Sequence, residues 1–271
     1  MTQPPKTVSA QVALRFSSGA IEMEFDAPTA FVPVDSLIPL ARTLAGNIVD
    51  LTVSEAEAQG RVISCKAGCG ACCRQLVPIS EPEARAVHAL IQNMPEPRRS
   101  EVLGRFTQAR EALREAGLLD ILEHHEALDR DARREIALDY FRQAIPCPFL
   151  EEESCSIHPE RPIVCREYLV TSPPERCANP RNDIEGLELP TSVWTSLARL
   201  DPIPEGHTTL RWVPLVLAPF WVESQHEPPT TDQGVKLIQR FIQYVAGGPP
   251  KPSPSEAPPP EESPYDSWNW P

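Results

Sequence analysis

Four of the eight cysteines in this 271-residue chain fall within nine residues, Cys65-Lys-Ala-Gly-Cys69-Gly-Ala-Cys72-Cys73. The other four, Cys147, Cys155, Cys165 and Cys177, come after a long interval. Chance placement seldom packs thiols so densely, and a segment that carries four of them must fold around whatever satisfies their sulfurs. Gly68 and Gly70 flank Cys69 and let the loop curl so that several sulfurs face one centre. Thiolates bind soft and borderline metals, and close spacing brings several ligands to one ion at little loop-closure cost. Buried free cysteines and disulfides are the competing readings. Disulfides are disfavoured by the N-terminus, Met-Thr-Gln-Pro-Pro-Lys, which lacks a basic start followed by an apolar stretch. No export signal is expected, and a cytoplasmic location keeps thiols reduced.

The spacing fits no standard zinc finger. Cys72 and Cys73 are adjacent, so their side chains cannot both easily face one ion. Either one of the pair is not a ligand or the centre is multinuclear. An iron–sulfur cluster, paired metal sites and two tetrathiolate zinc sites all remain open.

Composition narrows the class. Hydrophobic residues make up 41% of the chain and charged residues 23%, which supports a buried core and excludes global disorder. The 32 prolines, against an average share of about 5%, imply long irregular stretches. The net charge of −13 argues against a general nucleic-acid binder, which needs a basic face for phosphates. No apolar run is long enough to span a membrane. The most apolar one, from Trp212 to Val222, contains Pro214 and Pro219 and reads as core.

Periodicity predicts the elements. Val8, Ala10, Val12, Leu14 and Phe16 alternate, as do Ile21, Met23 and Phe25, with Ser17-Ser18-Gly19 between them. This predicts a β-hairpin with one face packed on a helix. Asp35 is the expected N-cap of a helix carrying Leu37, Ile38, Leu40, Ala41, Leu44, Ile48 and Leu51 and ending at Gly60. Ser80-Glu81-Pro82-Glu83 is a capping box, opening a helix to about Asn93 with Ala86, Val87, Leu90 and Ile91 inward. Further helices are expected over about 98–116, 129–144 and 231–245. His124-His125 lies in a charge-rich helical stretch and reads as solvated. From 249 to 264 half the residues are proline, which predicts a disordered tail.

The expected fold is therefore α+β, mainly α-helical. It has an N-terminal hairpin and helix (1–60) and a cysteine-cluster domain (61–248) with a helical insert (80–144). The cysteine region is organised by metal and has little regular structure, and a proline-rich tail closes the chain (249–271).

The sequence resembles the YkgJ, or CxxCxxCC, cysteine-cluster family, described as zinc- or iron-chelating and including the flagellin lysine-N-methylases. The resemblance rests on Cys65-Lys-Ala-Gly-Cys69-Gly-Ala-Cys72-Cys73-Arg74, Cys147-Pro-Phe-Leu150, Cys155-Ser-Ile-His158 and Arg161-Pro-Ile-Val-Cys165-Arg-Glu-Tyr168. Two departures are a long insertion from Arg74 to Pro146 and a histidine, His158, where an aromatic residue is common. The resemblance implies a zinc, iron or iron–sulfur cofactor on Cys65, Cys69, Cys72, Cys73, Cys147, Cys155, Cys165 and Cys177. Arg74, Arg161 and Arg166 adjoin these residues and are candidates to offset thiolate charge, and His158 is a further candidate ligand.

Three functions follow as expectations: a metal or iron–sulfur protein whose centre organises the fold, a protein-modifying enzyme similar to the lysine methylases, and a metal-handling chaperone. Outside the cysteines the sequence has no dinucleotide fingerprint, P-loop, H-E-x-x-H or triad context. The C-terminal aromatics Tyr265, Trp268 and Trp270 suggest a docking motif for a protein partner. No nucleic-acid or membrane partner is expected.

Overall fold

The computed structural model describes residues 6–178, 184–202 and 210–247. The proline-rich tail and its aromatic end lie outside them. The chain opens with the expected hairpin, β1 (Thr7–Phe16) and β2 (Gly19–Pro28). Its antiparallel register pairs Leu14 with Ile21, Val12 with Met23 and Ala10 with Phe25, so the alternating apolar residues share one face. Leu14 and Ile21 are buried there, against a core that includes helices α1 (Ile38–Ala58) and α10 (Gly234–Val245).

α1 buries Ile38, Ala41, Leu44 and Ile48 of the stripe read from the sequence, and Ala45 besides, while Leu40 and Leu51 are partly buried. Asp35 does not cap it. The helix is preceded by a 3₁₀ turn, Val34–Leu37, and its N-cap position is Leu37, with no side-chain cap. The Asp35 carboxylate instead accepts from Arg85 Nε, both oxygens at 2.9 Å. Arg85 stands on α2 (Glu81–Gln92), whose capping box is present as predicted.

The insert is helical. α3 (Arg98–Glu115), α4 (Leu119–Glu123) and α5 (Arg130–Arg142) bury Leu113, Leu119, Leu122 and Tyr140 in a cluster shared with Val216 and Leu217. Asp129 caps α5 by accepting from the Ala132 amide at 2.9 Å. His125 is not solvated. It is buried with its ring centroid 3.8 Å from that of Trp212 at a tilt of 46°, and Nδ1 lies 2.8 Å from the Leu122 carbonyl oxygen. Its neighbour His124 is exposed.

After the insert the elements shorten to β5 (Leu150–Glu151), β6 (Ser154–Cys155), α6 (Ile163–Glu167), α7 (Pro174–Cys177) and α8 (Val193–Ala198). The apolar run at 212–222 is core as read, forming β7 (Val213–Pro214), paired with β4 (Pro78–Ile79), and α9 (Ala218–Ser224). The last predicted helix starts three residues late. Thr231–Gln233 is a strand, β8, antiparallel to β3 (Phe31–Pro33), and only from Gly234 does the chain turn helical. Pairing with a segment about 200 residues distant overrides the local helical pattern. The fold is thus mainly helical α+β, with two-stranded antiparallel sheets.

One core joins Leu14 and Ile21 of the hairpin, Leu44 and Ile48 of α1, Val87 and Ile91 of α2, Phe149, Ile163 of α6, Trp194 of α8 and Phe241 of α10. The cysteine region is therefore seated on the main core. Two buried carboxylates fix that seat. Glu83 closes its own capping box and its Oε1 accepts the Ile163 amide at 2.7 Å, so the first turn of α6 hangs from α2. Glu167, at the other end of α6, accepts the Val193 amide at 2.6 Å and the Ser192 hydroxyl at 3.1 Å at the start of α8. The helix that carries Cys165 is held at both ends.

Candidate metal centre

The loop leading into Cys65 is strapped to residues 170 and 171. The Ser64 amide donates to the Val170 carbonyl at 2.9 Å and its hydroxyl to that of Thr171 at 3.2 Å. A turn follows, with the Cys69 amide on the Lys66 carbonyl at 3.1 Å and Gly68 at φ +84°. A β-carbon on Gly70 would meet the side-chain tips Leu150 Cδ1 and Glu153 Oε2, each at 2.7 Å, and the Glu153 carbonyl oxygen at 3.1 Å, so loop and hairpin approach closely at this glycine. The 3₁₀ turn Ala71–Arg74 then presents Cys72 and Cys73.

The second cysteine block folds back onto the first. The Cys147 amide donates to the Cys73 carbonyl at 2.7 Å. β5 and β6 form a tight hairpin pairing Cys155 with Leu150, turning through Glu152 (φ 48°) and Glu153 (φ 57°). Two consecutive left-handed residues match the right-handed twist of the strands, at a strain cost for residues other than glycine. Ion pairs hold the hairpin. Glu153 binds Arg74 at 2.6 Å, and Glu151 binds Arg105 at 2.5 Å and also Arg98. Beneath it Phe149 packs edge-on against Phe106 of α3, centroids 5.3 Å apart. The long insertion between the cysteine blocks thus buttresses the second block through α3.

All eight cysteines line one cavity of about 360 Å³, and all are free thiols. Among the described residues no three Cys, His, Asp or Glu side chains stand in a ready-made ligand cage. The thiols ring a space instead of clamping a point. As a donor set they fit zinc or iron. They are soft and numerous, and among the described residues no carboxylate lines the cavity wall to compete for hard cations.

The electrostatics fit a cationic occupant. Burial pushes the Cys147 thiol up to about 12 and the Cys177 thiol to about 11, and raises those of Cys65, Cys155 and Cys165. Cys72 is raised further, first by its hydrogen bond with Cys73 and then by burial. Opposing this, backbone amides face three sulfurs: Val170 at Cys65, Phe149 at Cys147 and Ile157 at Cys155. These amides favour thiolate, and in the empty cavity burial outweighs them.

The three candidate arginines divide by their partners. Arg74 is engaged with Glu153 and the Gly70 carbonyl, and Arg166 with the carbonyls of Arg161 and Pro159. Arg161 lines the cavity, its enclosed Nε has no hydrogen-bond partner among the described residues, and it pulls down the thiols of Cys65, Cys72, Cys155 and Cys165. His158 also lines the cavity but is exposed to solvent. Sequence reasoning passed over Tyr168 except as part of a motif. It lines the cavity, and its hydroxyl is a hydrogen-bond neighbour of Cys177 and Gln75.

Residues 64–184 match the CxxCxxCC family, described as "Putative zinc- or iron-chelating domain". This segment is similar to that cysteine-cluster family. The match contains all eight cysteines and also the helical insert, so the insertion lies inside the matched segment. No curated protein and no solved structure matches the chain. Among the described residues no helix is long and apolar enough to cross a membrane.

Proposed function

We propose that the cysteine-cluster domain is a thiolate metal centre holding more than one atom of zinc or iron, an iron–sulfur cluster being one form it can take. The observation that carries this reading is the convergence of eight free thiols, the adjacent Cys72 and Cys73 included, on one cavity, twice the number that one tetrahedral ion takes. One mononuclear tetrathiolate site would use only four of these eight sulfurs.

When bound, the metal supplies the positive charge that replaces the thiol protons. The protein's contribution is to hold the sulfurs. The Val170, Phe149 and Ile157 amides orient three of them, Arg161 offsets residual negative charge, and the carboxylates of Glu83 and Glu167 fix α6. Because burial raises the thiols of Cys65, Cys147, Cys155, Cys165 and Cys177, each of these sulfurs would release a proton to water on binding metal, and metal uptake would weaken as pH falls.

The test is elemental analysis, acid-labile sulfide and the absorption spectrum of anaerobically purified full-length protein. More than one zinc or iron per chain supports the reading. A brown protein with sulfide and absorption near 400 nm identifies iron–sulfur, and a colourless zinc protein identifies paired zinc. A chain that takes up neither metal overturns it.

A further inference from the structure

The charge on the cavity wall runs against the charge of the chain. The chain carries a net −13, yet the ionisable side chains on the wall, apart from the thiols and Tyr168, are Lys66, His158 and Arg161. Among the described residues no Asp or Glu lines the cavity. Two acids of the adjoining β5–β6 hairpin are engaged by arginines, Glu153 by Arg74 at 2.6 Å and Glu151 by Arg105 at 2.5 Å and by Arg98. A wall that draws in a bare divalent cation carries carboxylates, and this one carries fixed positive charge.

The lining residues that reach solvent come from both cysteine blocks: Lys66, Ala67 and Gly68 from the first, Ser154 and His158 from the second. They form the mouth. Arg161 is less exposed, and its enclosed Nε has no hydrogen-bond partner among the described residues. The Arg166 guanidinium donates to the carbonyls of Pro159 and Arg161, which fixes the segment that carries Arg161.

A cleft lined by one sign of charge concentrates ligands of the opposite sign and raises their association rates by about 10–10³-fold. Resting on the reading of this cavity as a metal centre, we propose that it takes its metal from a small anionic complex, a chelate of zinc or iron with a polycarboxylate, drawn to the mouth by Lys66 and Arg161. The volume of about 360 Å³ lies in the range of pockets that admit small molecules. In the transfer each metal–oxygen bond to the carrier breaks as a metal–sulfur bond forms. The thiol proton passes to the freed carboxylate or to water, and no electron moves. Thiolates then stand where neutral thiols stood, so the cavity gains negative charge and repels the emptied carrier. The fixed cations favour arrival, and the product of the transfer favours departure.

Cobalt(II), whose thiolate complexes absorb light, tests this by rapid mixing with anaerobic, metal-free full-length protein. The two sources are cobalt nitrilotriacetate, an anionic complex, and the hydrated cobalt ion. Between about 20 and about 300 mM salt, uptake from the complex should slow about tenfold, while uptake from the hydrated ion should not slow. Lys66→Glu places an acid at the mouth and should lower the ratio of the two rates, complex over ion, by about threefold or more at low salt. Comparing ratios cancels the lability of the chelate. If Lys66→Glu does not fold, His158→Glu, also at the exposed mouth, makes the same test. Bound cobalt at the end of each run is measured separately. Equal salt dependence for the two sources, or an unchanged ratio in the variant, overturns the anionic carrier while the bound cobalt leaves the metal centre standing. A wild-type chain that binds no cobalt from either source overturns the metal reading itself.

Discussion

Glu83 shows how much one side chain can carry. Its carboxylate is buried and accepts from the Ser80 amide at 3.0 Å, the Ser80 hydroxyl at 2.9 Å and the Ile163 amide at 2.7 Å. The first two bonds were legible in the sequence, because a capping box is a local pattern. The third was not, because its partner is 80 residues away and no spacing rule reaches that far. Asp35 fails for the same reason: it looks like a cap, but Arg85, 50 residues on, takes its carboxylate. Removing the Glu83 carboxylate loses a helix cap and leaves the buried Ile163 amide unpaired. Glu83→Ala should therefore destabilise the fold by about 2–4 kcal/mol, measured by denaturant unfolding. A loss within about 0.5 kcal/mol, the range of ordinary surface changes, would show that α6 does not depend on it.

At the scale of elements, the long periodic helices and the hairpin were readable because their apolar faces repeat with a fixed period. The short pieces were not. α4, the β5–β6 hairpin and the strand Thr231–Gln233 are each fixed by contacts distant in sequence, and in two to five residues no period can register. His125 belongs with them. In a charge-rich stretch it reads as surface, yet it is buried on Trp212 in the insert's own core. Burial, the dominant effect, lowers its pKa below the ordinary 6.5, with Leu122, Glu126 and Trp212 pulling it back up. A histidine whose folded pKa is depressed contributes stability above about 6.5, lost as pH falls through the folded value. The thermal midpoint of the protein should thus fall between pH 7 and 5. His125→Phe, which keeps the ring contact but cannot ionise, should flatten part of that slope. An unchanged slope in the variant would assign the acid sensitivity elsewhere.

For the whole molecule, the sequence indicated that the cysteine blocks meet, but only the fold shows what brings them together. The insert braces the second block through Phe106, Arg98 and Arg105, and the main core holds α6. The pieces between these anchors have little apolar surface of their own, so the metal should order them. Structural zinc contributes on the order of 10–16 kcal/mol in small modules, enough to hold such segments closed. On chelation, hydrogen exchange should speed up at residues 64–70, 150–156 and 171–177. α1, α10 and the buried amides of Ile163 and Val193 should remain protected. Uniform loss of protection would mean that the whole fold depends on metal, and no change would mean that the centre is not structural.

The most direct test of the central claim is X-ray absorption at the metal edge of anaerobically purified protein. The account predicts an all-sulfur first shell at about 2.3 Å and a second metal atom in the next shell. A first shell of nitrogen and oxygen, or a lone metal with no metal neighbour, would contradict it.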